Sequence, residues 1–286
     1  MLQPTPRQIL ETLLPHLRTA AAYARQIQSR IVVRPEKAAD NFFAAALSDA
    51  DLSIQTAVEV ALLGAFPDIR FYGEEYEQSY NTKYFRAIDL GETGDYLVTL
   101  DPIDGTRFYL DGHSNYQIIL SVLNWDAYEA AIAITPAQNL YCYALRGQGC
   151  WQGALEASLE DCQPLRIAEP SSTILLGWGM EWLAPKLSDR YSVIEVSTNY
   201  SKTQQIPNFY GTLTGELAGA VFRAGQWIDG AALAFLAQEA GCVVTTHEGT
   251  PLPPLHTCKD YRFEGLLVAT SPPVHQHLLE AIRDRD

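Results

Sequence analysis

The heptapeptide Leu100-Asp101-Pro102-Ile103-Asp104-Gly105-Thr106 sets two carboxylates three residues apart around a proline, with a glycine and a hydroxyl directly behind them. Asp95 to Leu100 (DYLVTL) reads as a short strand, so Asp101 and Asp104 are expected at its carboxyl end, where α/β folds commonly keep their ligands. Pro102 fixes φ and is expected to block strand continuation, turning the backbone so that both carboxylates and the Ile103 carbonyl face one point. Gly105 allows the main chain to approach a phosphate closely, and Thr106 is expected to begin a helical turn whose free N–H groups favour an anion. Together these groups are the donor set of a divalent-metal phosphate site. Asp-Pro or Asp-Gly alone marks no more than a turn. A fixed hexamer such as Asp101 to Thr106, however, arises by chance in on the order of one chain in 10⁵ at average composition.

Unaltered, Asp101 to Thr106 is also the Asp-Pro-Ile-Asp-Gly-Thr signature of the inositol monophosphatase family of Mg²⁺-dependent, lithium-sensitive sugar phosphatases, which the chain resembles. Two further blocks carry the resemblance. Phe66-Pro67-Asp68 followed by Gly73-Glu74-Glu75 matches the family's FPD…GEE element, and Trp227-Ile228-Asp229-Gly230-Ala231-Ala232 with Glu239-Ala240-Gly241 matches its WD-x-A-A…EAGG element. The likeness runs from about Asp51 to Val244, and three ordered blocks are far more specific than one.

The resemblance implies an α+β fold, a layered αβαβα sandwich of the fructose bisphosphatase-like sugar phosphatase type, with its active site in the cleft between two halves. It also implies a cofactor, two or three Mg²⁺ ions. Glu74, Asp101 and the Ile103 carbonyl would hold one metal, and Asp101, Asp104 and Asp229 a second. Glu74 and Thr106 would orient or deprotonate the attacking water, with Asp51 behind Thr106, and Gly105, Thr106, Asp104 and Asp229 would face the substrate. Asp51 reads equally as the N-cap of a helix and Glu75 equally as a solvated acid. Asp229 would read as a helix cap but for the resemblance.

The chain departs from the family pattern in several places. Ser48 stands at the family's threonine position in Thr-x-x-Asp. Ile228 replaces the tryptophan before the last aspartate, with Trp227 one position earlier, and Arg107, Phe108 and Tyr109 replace the family's Thr or Ser, Asn and Phe; an arginine there could contact phosphate or seal the cleft. Phe222 falls where inositol-specific members place a glutamate, and Ser197 to Gly211 has no recognisable Gly-Ser-Ala substrate element. Lys202, Arg223, Tyr200 and Tyr210 are candidates for a different recognition surface, for a nucleotide or a second phosphate, or are ordinary surface residues.

Apolar residues at helical spacing from Ile9 to Ile27 predict a first helix, kinked or restarted at Pro15, and Asp51 to Leu63 a second. Strands are expected near 70–72, 95–100, 116–123, 130–135 and 140–145, the last three as an antiparallel meander. Beyond Gly147 the pattern predicts strands at 173–176, 193–196, 242–246 and 265–269, helices at 212–223 and 229–240, and a terminal helix. Residues 1–146 therefore read as an α+β metal-binding half with an antiparallel sheet, and 147–286 as an α/β half that completes the site.

A formal net charge of −14 argues against a nucleic-acid polymer as partner, because neutralising phosphates needs clustered Lys and Arg. Five scattered cysteines without Cys-x-x-Cys spacing indicate neither a zinc site nor a disulfide framework and fit a reducing cytoplasm. Neither a membrane-spanning run nor a signal peptide is recognisable, and the six histidines show no ligand spacing. The expected partner is a small phosphorylated substrate, with no membrane; a homodimer is left open. The leading function is a metal-dependent phosphomonoesterase for a small sugar, polyol or nucleotide phosphate. The alternatives are a 3′(2′),5′-bisphosphate nucleotidase or fructose-1,6-bisphosphatase, and a non-catalytic regulatory protein that retains the fold.

Overall fold

In the computed structural model the described residues are 3–31, 48–75, 90–92, 94–167 and 170–284. They form two units, Met1–Arg146 with Trp151–Gln163, and Gly147–Cys150 with Pro164–Asp286.

The first unit opens with α1 (Pro6–Ile27), whose start is set by a capping box. The Thr5 hydroxyl accepts from the Gln8 backbone N at 3.2 Å, and Gln8 Oε1 accepts from the Thr5 N at 2.8 Å. The helix does not restart at Pro15, and α1 runs through it as one helix. Pro15 lies on the exposed side, where water can serve the carbonyl that proline leaves unpaired. Ile9, Leu10, Leu13, Leu14 and Leu17 form the opposite, buried stripe. The second helix, α2 (Asp49–Ala65), begins earlier than its periodicity suggested because Ser48, not Asp51, is its N-cap.

Both helices pack on a seven-stranded sheet whose strands lie in chain order: β1 (Arg70–Gly73), β2 (Leu97–Asp104), β3 (Gln117–Leu123), β4 (Tyr128–Thr135), β5 (Leu140–Leu145), β6 (Cys150–Ala154) and β7 (Gln163–Pro164). The meander β3-β4-β5 is antiparallel as expected, whereas β1 and β2 are parallel. Val98, Leu100, Ile118, Leu120, Ile132 and Ile134 turn to the helices, and the alternate residues Thr99, Ile119 and Ser121 are buried as well. A sheet buried on both faces explains why these strands read as nearly continuous apolar runs. Pro102 does not end β2. The strand continues to Asp104 across a register shift: Asp101 pairs with Ile119 and Asp104 with Gln117, so one extra residue is accommodated where proline offers no N–H to the ladder. A short helix, α3 (Thr106–Leu110), follows at once.

The second unit contains β8 (Thr173–Leu176), α4 (Ala184–Leu187), β9 (Ser192–Glu195), α5 (Val196–Asn199), α6 (Gly211–Thr214), β10 (Gly219–Gln226), α7 (Gly230–Glu239), β11 (Val243–Thr245), β12 (Arg262–Ala269) and α8 (Pro272–Arg283). Its sheet runs β11-β12-β10-β8-β9, with β10 parallel to β8 and antiparallel to β12. The helix expected over 212–223 is corrected here. α6 stops at Thr214, Gly215 takes φ 83°, and residues 219–226 form a strand in the middle of the sheet. Val221 and Phe222 suit a strand, and the pairing with β12 overrides a helical spacing too short to decide by itself.

Strand alternation sorts the two faces. Ile174, Leu176, Val221, Leu267 and Ala269 pack with Leu278 and Leu279 of α8, while Phe222 lies on the other face, where Phe209 links it to the start of α7.

Gly219 sits where β10 passes under β12 and α8, and a Cβ there would come within 2.8 Å of the Val268 carbonyl oxygen. Gly219→Ala is expected to lower stability by about 1–3 kcal/mol through overpacking, measured by denaturant unfolding.

Candidate active site

The parallel pair β1/β2 brings two acidic segments side by side. Gly73 is in register with Leu100, and the Glu74 N–H donates to the Leu100 carbonyl at 3.3 Å, so Glu74 leaves β1 beside the point where Asp101 to Asp104 complete β2. These are the carboxyl ends of adjacent parallel strands, where a sheet exposes a ligand-accessible edge. Asp101 is buried and its Oδ1 accepts the Ile103 N–H at 3.0 Å, closing a tight turn over Pro102. Gly105 follows with φ 83°, a conformation that favours glycine, and its carbonyl accepts the Tyr109 N–H at 3.0 Å.

Burial and the nearby Glu74 both push the Asp104 carboxyl well above the ordinary carboxylate range. A desolvated carboxyl beside a second acid suits a hard cation, since Mg²⁺ or Ca²⁺ takes oxygen donors of this kind. The donor chemistry therefore fits a divalent metal. Among the described residues no three His, Cys, Asp or Glu side chains already form a metal cage.

Thr106 and Asp51 meet in the same unit. The Thr106 hydroxyl donates between Asp51 Oδ1, at 3.2 Å, and the Ile103 carbonyl, at 2.9 Å. Asp51 is fully buried at the third position of α2, not at its N-cap: Oδ2 accepts from the Ser48 N–H at 2.8 Å and from the Ser48 hydroxyl, completing a capping box. One carboxylate thus fixes the helix start and holds Thr106. The serine at the family's threonine position does the capping.

Sequence reasoning missed Gln55, one turn after Asp51 on α2. Its side chain is buried, its Oε1 accepts the Glu75 N–H at 2.9 Å, and its amide lies where a Cβ on residue 73 would have to go. Gly73 is therefore demanded by Gln55, and Gln55 holds the turn that carries Glu74. The i, i+4 spacing of Asp51 and Gln55 was the available signal. Glu75 is buried, which removes the solvated-acid reading.

Asp229 belongs to the second unit, where its carboxylate accepts the Gly230 N–H and its backbone carbonyl accepts from Ala232 and Leu233 at 2.9 and 3.2 Å. Trp227 is buried edge-to-face against Tyr261, with ring centroids 5.8 Å apart, and its backbone N–H donates to the Tyr261 carbonyl at 3.0 Å; the indole and Ile228 are packing residues of the strand-to-helix turn. Phe222 rests on Gly177 and on Phe209, centroid to centroid 4.7 Å.

Of the four residues considered as a recognition surface, Tyr200 is half-buried. Arg223 points to the face opposite Phe222, Tyr210 is buried, and Lys202 is exposed. Arg107 is buried in α3. Of the histidines, His275 bonds the Thr245 hydroxyl at 2.8 Å, His277 the Tyr191 hydroxyl at 2.7 Å, and His113 is buried. No helix among the described residues is long and apolar enough to cross a membrane. All five cysteines are free thiols.

Comparison with known proteins shows the family and the fold. The sequence model described as "Inositol monophosphatase family" matches residues 9–286. The SuhB protein of Neisseria meningitidis serogroup A is 26% identical over 285 residues, covering 94% of this chain and 98% of that protein. Among solved structures, staphylococcal inositol monophosphatase-1 in a LiCl-soaked inhibitory complex superposes with a TM-score of 0.72 at 16% identity, over 99% of this chain and 97% of that one. An IMPase/NADP phosphatase with Mg²⁺ and phosphate superposes with a TM-score of 0.69 at 17% identity, over 98% and 96%. The structural likenesses show the fold, an α+β layered architecture of mixed sheets flanked by helices.

Two measurements check the site. Gln55→Ala leaves the Glu75 N–H without its buried acceptor and is expected to cost about 1–3 kcal/mol in denaturant unfolding and to weaken Mg²⁺ binding by calorimetry; unchanged metal affinity would remove Gln55 from the site. For Asp104 the sign follows from its raised pKa. The native state holds that proton more tightly than the unfolded chain, so in chelator stability falls as pH rises from the ordinary carboxylate range through the raised value. Asp104→Asn is expected to raise the metal-free Tm at neutral pH.

Proposed function

Because the chain belongs to the inositol monophosphatase family, we propose that it is a metal-dependent phosphoric monoester hydrolase acting on a small sugar, polyol or nucleotide phosphate. The reading is carried by Glu74 lying within electrostatic reach of Asp104, near the Asp51-Thr106 pair, at the carboxyl ends of β1 and β2. Glu74, Asp101, Asp104 and the Ile103 carbonyl would hold Mg²⁺. When bound, such ions polarise a phosphoryl group, lower the pKa of a coordinated water and stabilise a leaving alkoxide. Mg²⁺ with phosphate in one structural neighbour, and lithium inhibition in another, support this assignment.

The chain's own residues supply placement. Asp51 orients the Thr106 hydroxyl, and that hydroxyl with the Glu74 carboxylate positions the attacking water and receives its proton. Gly105, with no side chain and φ 83°, leaves the approach of a phosphate to the turn open. Gln55 keeps the Glu74 turn closed on α2. No side chain needs to become phosphorylated in this scheme.

Phe222 favours a substrate other than inositol monophosphate. An aromatic ring set against Phe209 on the α7 face cannot accept the sugar hydroxyl bonds that a glutamate would. A buried hydroxyl left without its partner costs about 1–3 kcal/mol, roughly tenfold to a hundredfold in kcat/KM. A nucleotide phosphate is the second reading, supported by the flat ring of Phe222 and by a neighbour named as an NADP phosphatase.

Phosphate release over a panel of inositol, sugar, histidinol and adenosine bisphosphate esters tests the proposal. Activity is expected to require Mg²⁺, to fall in excess Li⁺, and to drop by several orders of magnitude in Asp104→Asn. Full activity in chelator would overturn the mechanism. Inositol monophosphate as the best substrate would overturn the reading of Phe222 alone.

A further inference from the structure

On the face of the second sheet opposite Phe222 lies a cavity of about 470 Å³, lined by Gly179, Met180, Trp182, Arg223, His247, Glu248, Ile282 and Arg283. All its lining residues belong to the second unit. Its volume is in the range of small-molecule sites.

A glycine seats one of the lining residues, His247. Gly265 stands across the ladder from Arg223, between the paired positions Phe222/Leu266 and Ala224/Glu264, and has φ 72°. A Cβ there would come within 2.7 Å of the His247 ring, so the position stays bare and His247 closes over it. Gly179 has φ 81°, and a Cβ on it would lie 3.8 Å from Arg223 Cδ.

The walls are basic within a chain whose formal net charge is −14. Arg223 enters from β10 and Arg283 from the end of α8, where its Nη2 donates to the Glu248 carbonyl at 3.1 Å. Arg283 also depresses the protonation of His275, second to burial, which marks a positive field at this end of α8. Lys186 adds a further cation, 5.4 Å from the Trp182 ring centre. Glu248 is the one acid in the lining, and the Thr246 hydroxyl stabilises its ionised form. Glu181, just outside, accepts from the Gly179 N–H at 3.2 Å and from the Ser197 hydroxyl. Two guanidiniums against one carboxylate leave a net positive site.

We propose that this cavity is a second anion site, built from second-unit residues alone, which takes the phosphate group of a small phosphorylated molecule between Arg223 and Arg283. Guanidinium forks match phosphate oxygens in bidentate geometry, and Trp182, Met180 and Ile282 offer an apolar wall for the organic part of an ester. The site needs no metal and does not depend on the phosphatase reading.

Binding of inorganic phosphate and of glucose 6-phosphate to the full chain in EDTA, by calorimetry and by thermal shift, tests the proposal. Saturable binding of both is expected. Arg223→Gln and Arg283→Gln are each expected to weaken it at least tenfold while leaving the ligand-free Tm and Mg²⁺ affinity unchanged, because both side chains are exposed. Asp104→Asn is expected to bind phosphate in EDTA as wild type does. Absence of phosphate binding in EDTA, binding indifferent to both arginine substitutions, or malonate binding as tightly as phosphate would overturn it.

Discussion

The buried first turns of α2 organise the reactive edge of the first unit. Asp51 and Gln55 lie one turn apart on the same face of that helix; Asp51 fastens Thr106, and Gln55 fastens the turn that carries Glu74. Asp51 is itself held by Ser48, so the capping box that starts the helix also sets the carboxylate's position. A change in the register of α2 would therefore move both contacts together. The sheet cannot supply this constraint by itself, because Glu74 and Asp104 lie at the strand ends, where ladder hydrogen bonds give out.

That edge holds acidic groups in a way folding alone disfavours. Burial and the nearby Glu74 oppose ionisation of Asp104, and the chain as a whole is already strongly negative. Local violations of this kind are expected where function, not stability, selects the residues. The surrounding core offsets them: β2 and β3 are buried on both faces, and Tyr109 closes the back of α3 by donating to the Ala24 carbonyl at 2.8 Å and packing edge-to-face on Tyr116.

In the second unit one strand separates two surfaces. Phe222 and Arg223 are neighbours in sequence but face opposite sides of β10, one towards α7 and the other towards α8. The departure at residue 222 therefore bears on the side of the sheet that carries Asp229, and Arg223 on a separate basic cavity.

The family, the α+β architecture, the central meander and the acidic motif at a strand end were legible in the sequence, because each rests on local pattern: strand periodicity, turn residues and an ordered hexamer. Fold and family are both supported by comparison. The strand at 219–226, the continuation of β2 past Pro102 and the unbroken α1 were decided by tertiary packing. In each, the burial gained against neighbouring elements outweighed a local preference of about 1 kcal/mol or, for proline, a single lost hydrogen bond. Gln55 was invisible for the same reason. Its i, i+4 spacing from Asp51 says little by itself until the structure places Gly73 against it, and the need for a bare α-carbon at residue 73 exists only once two segments distant in sequence are packed together.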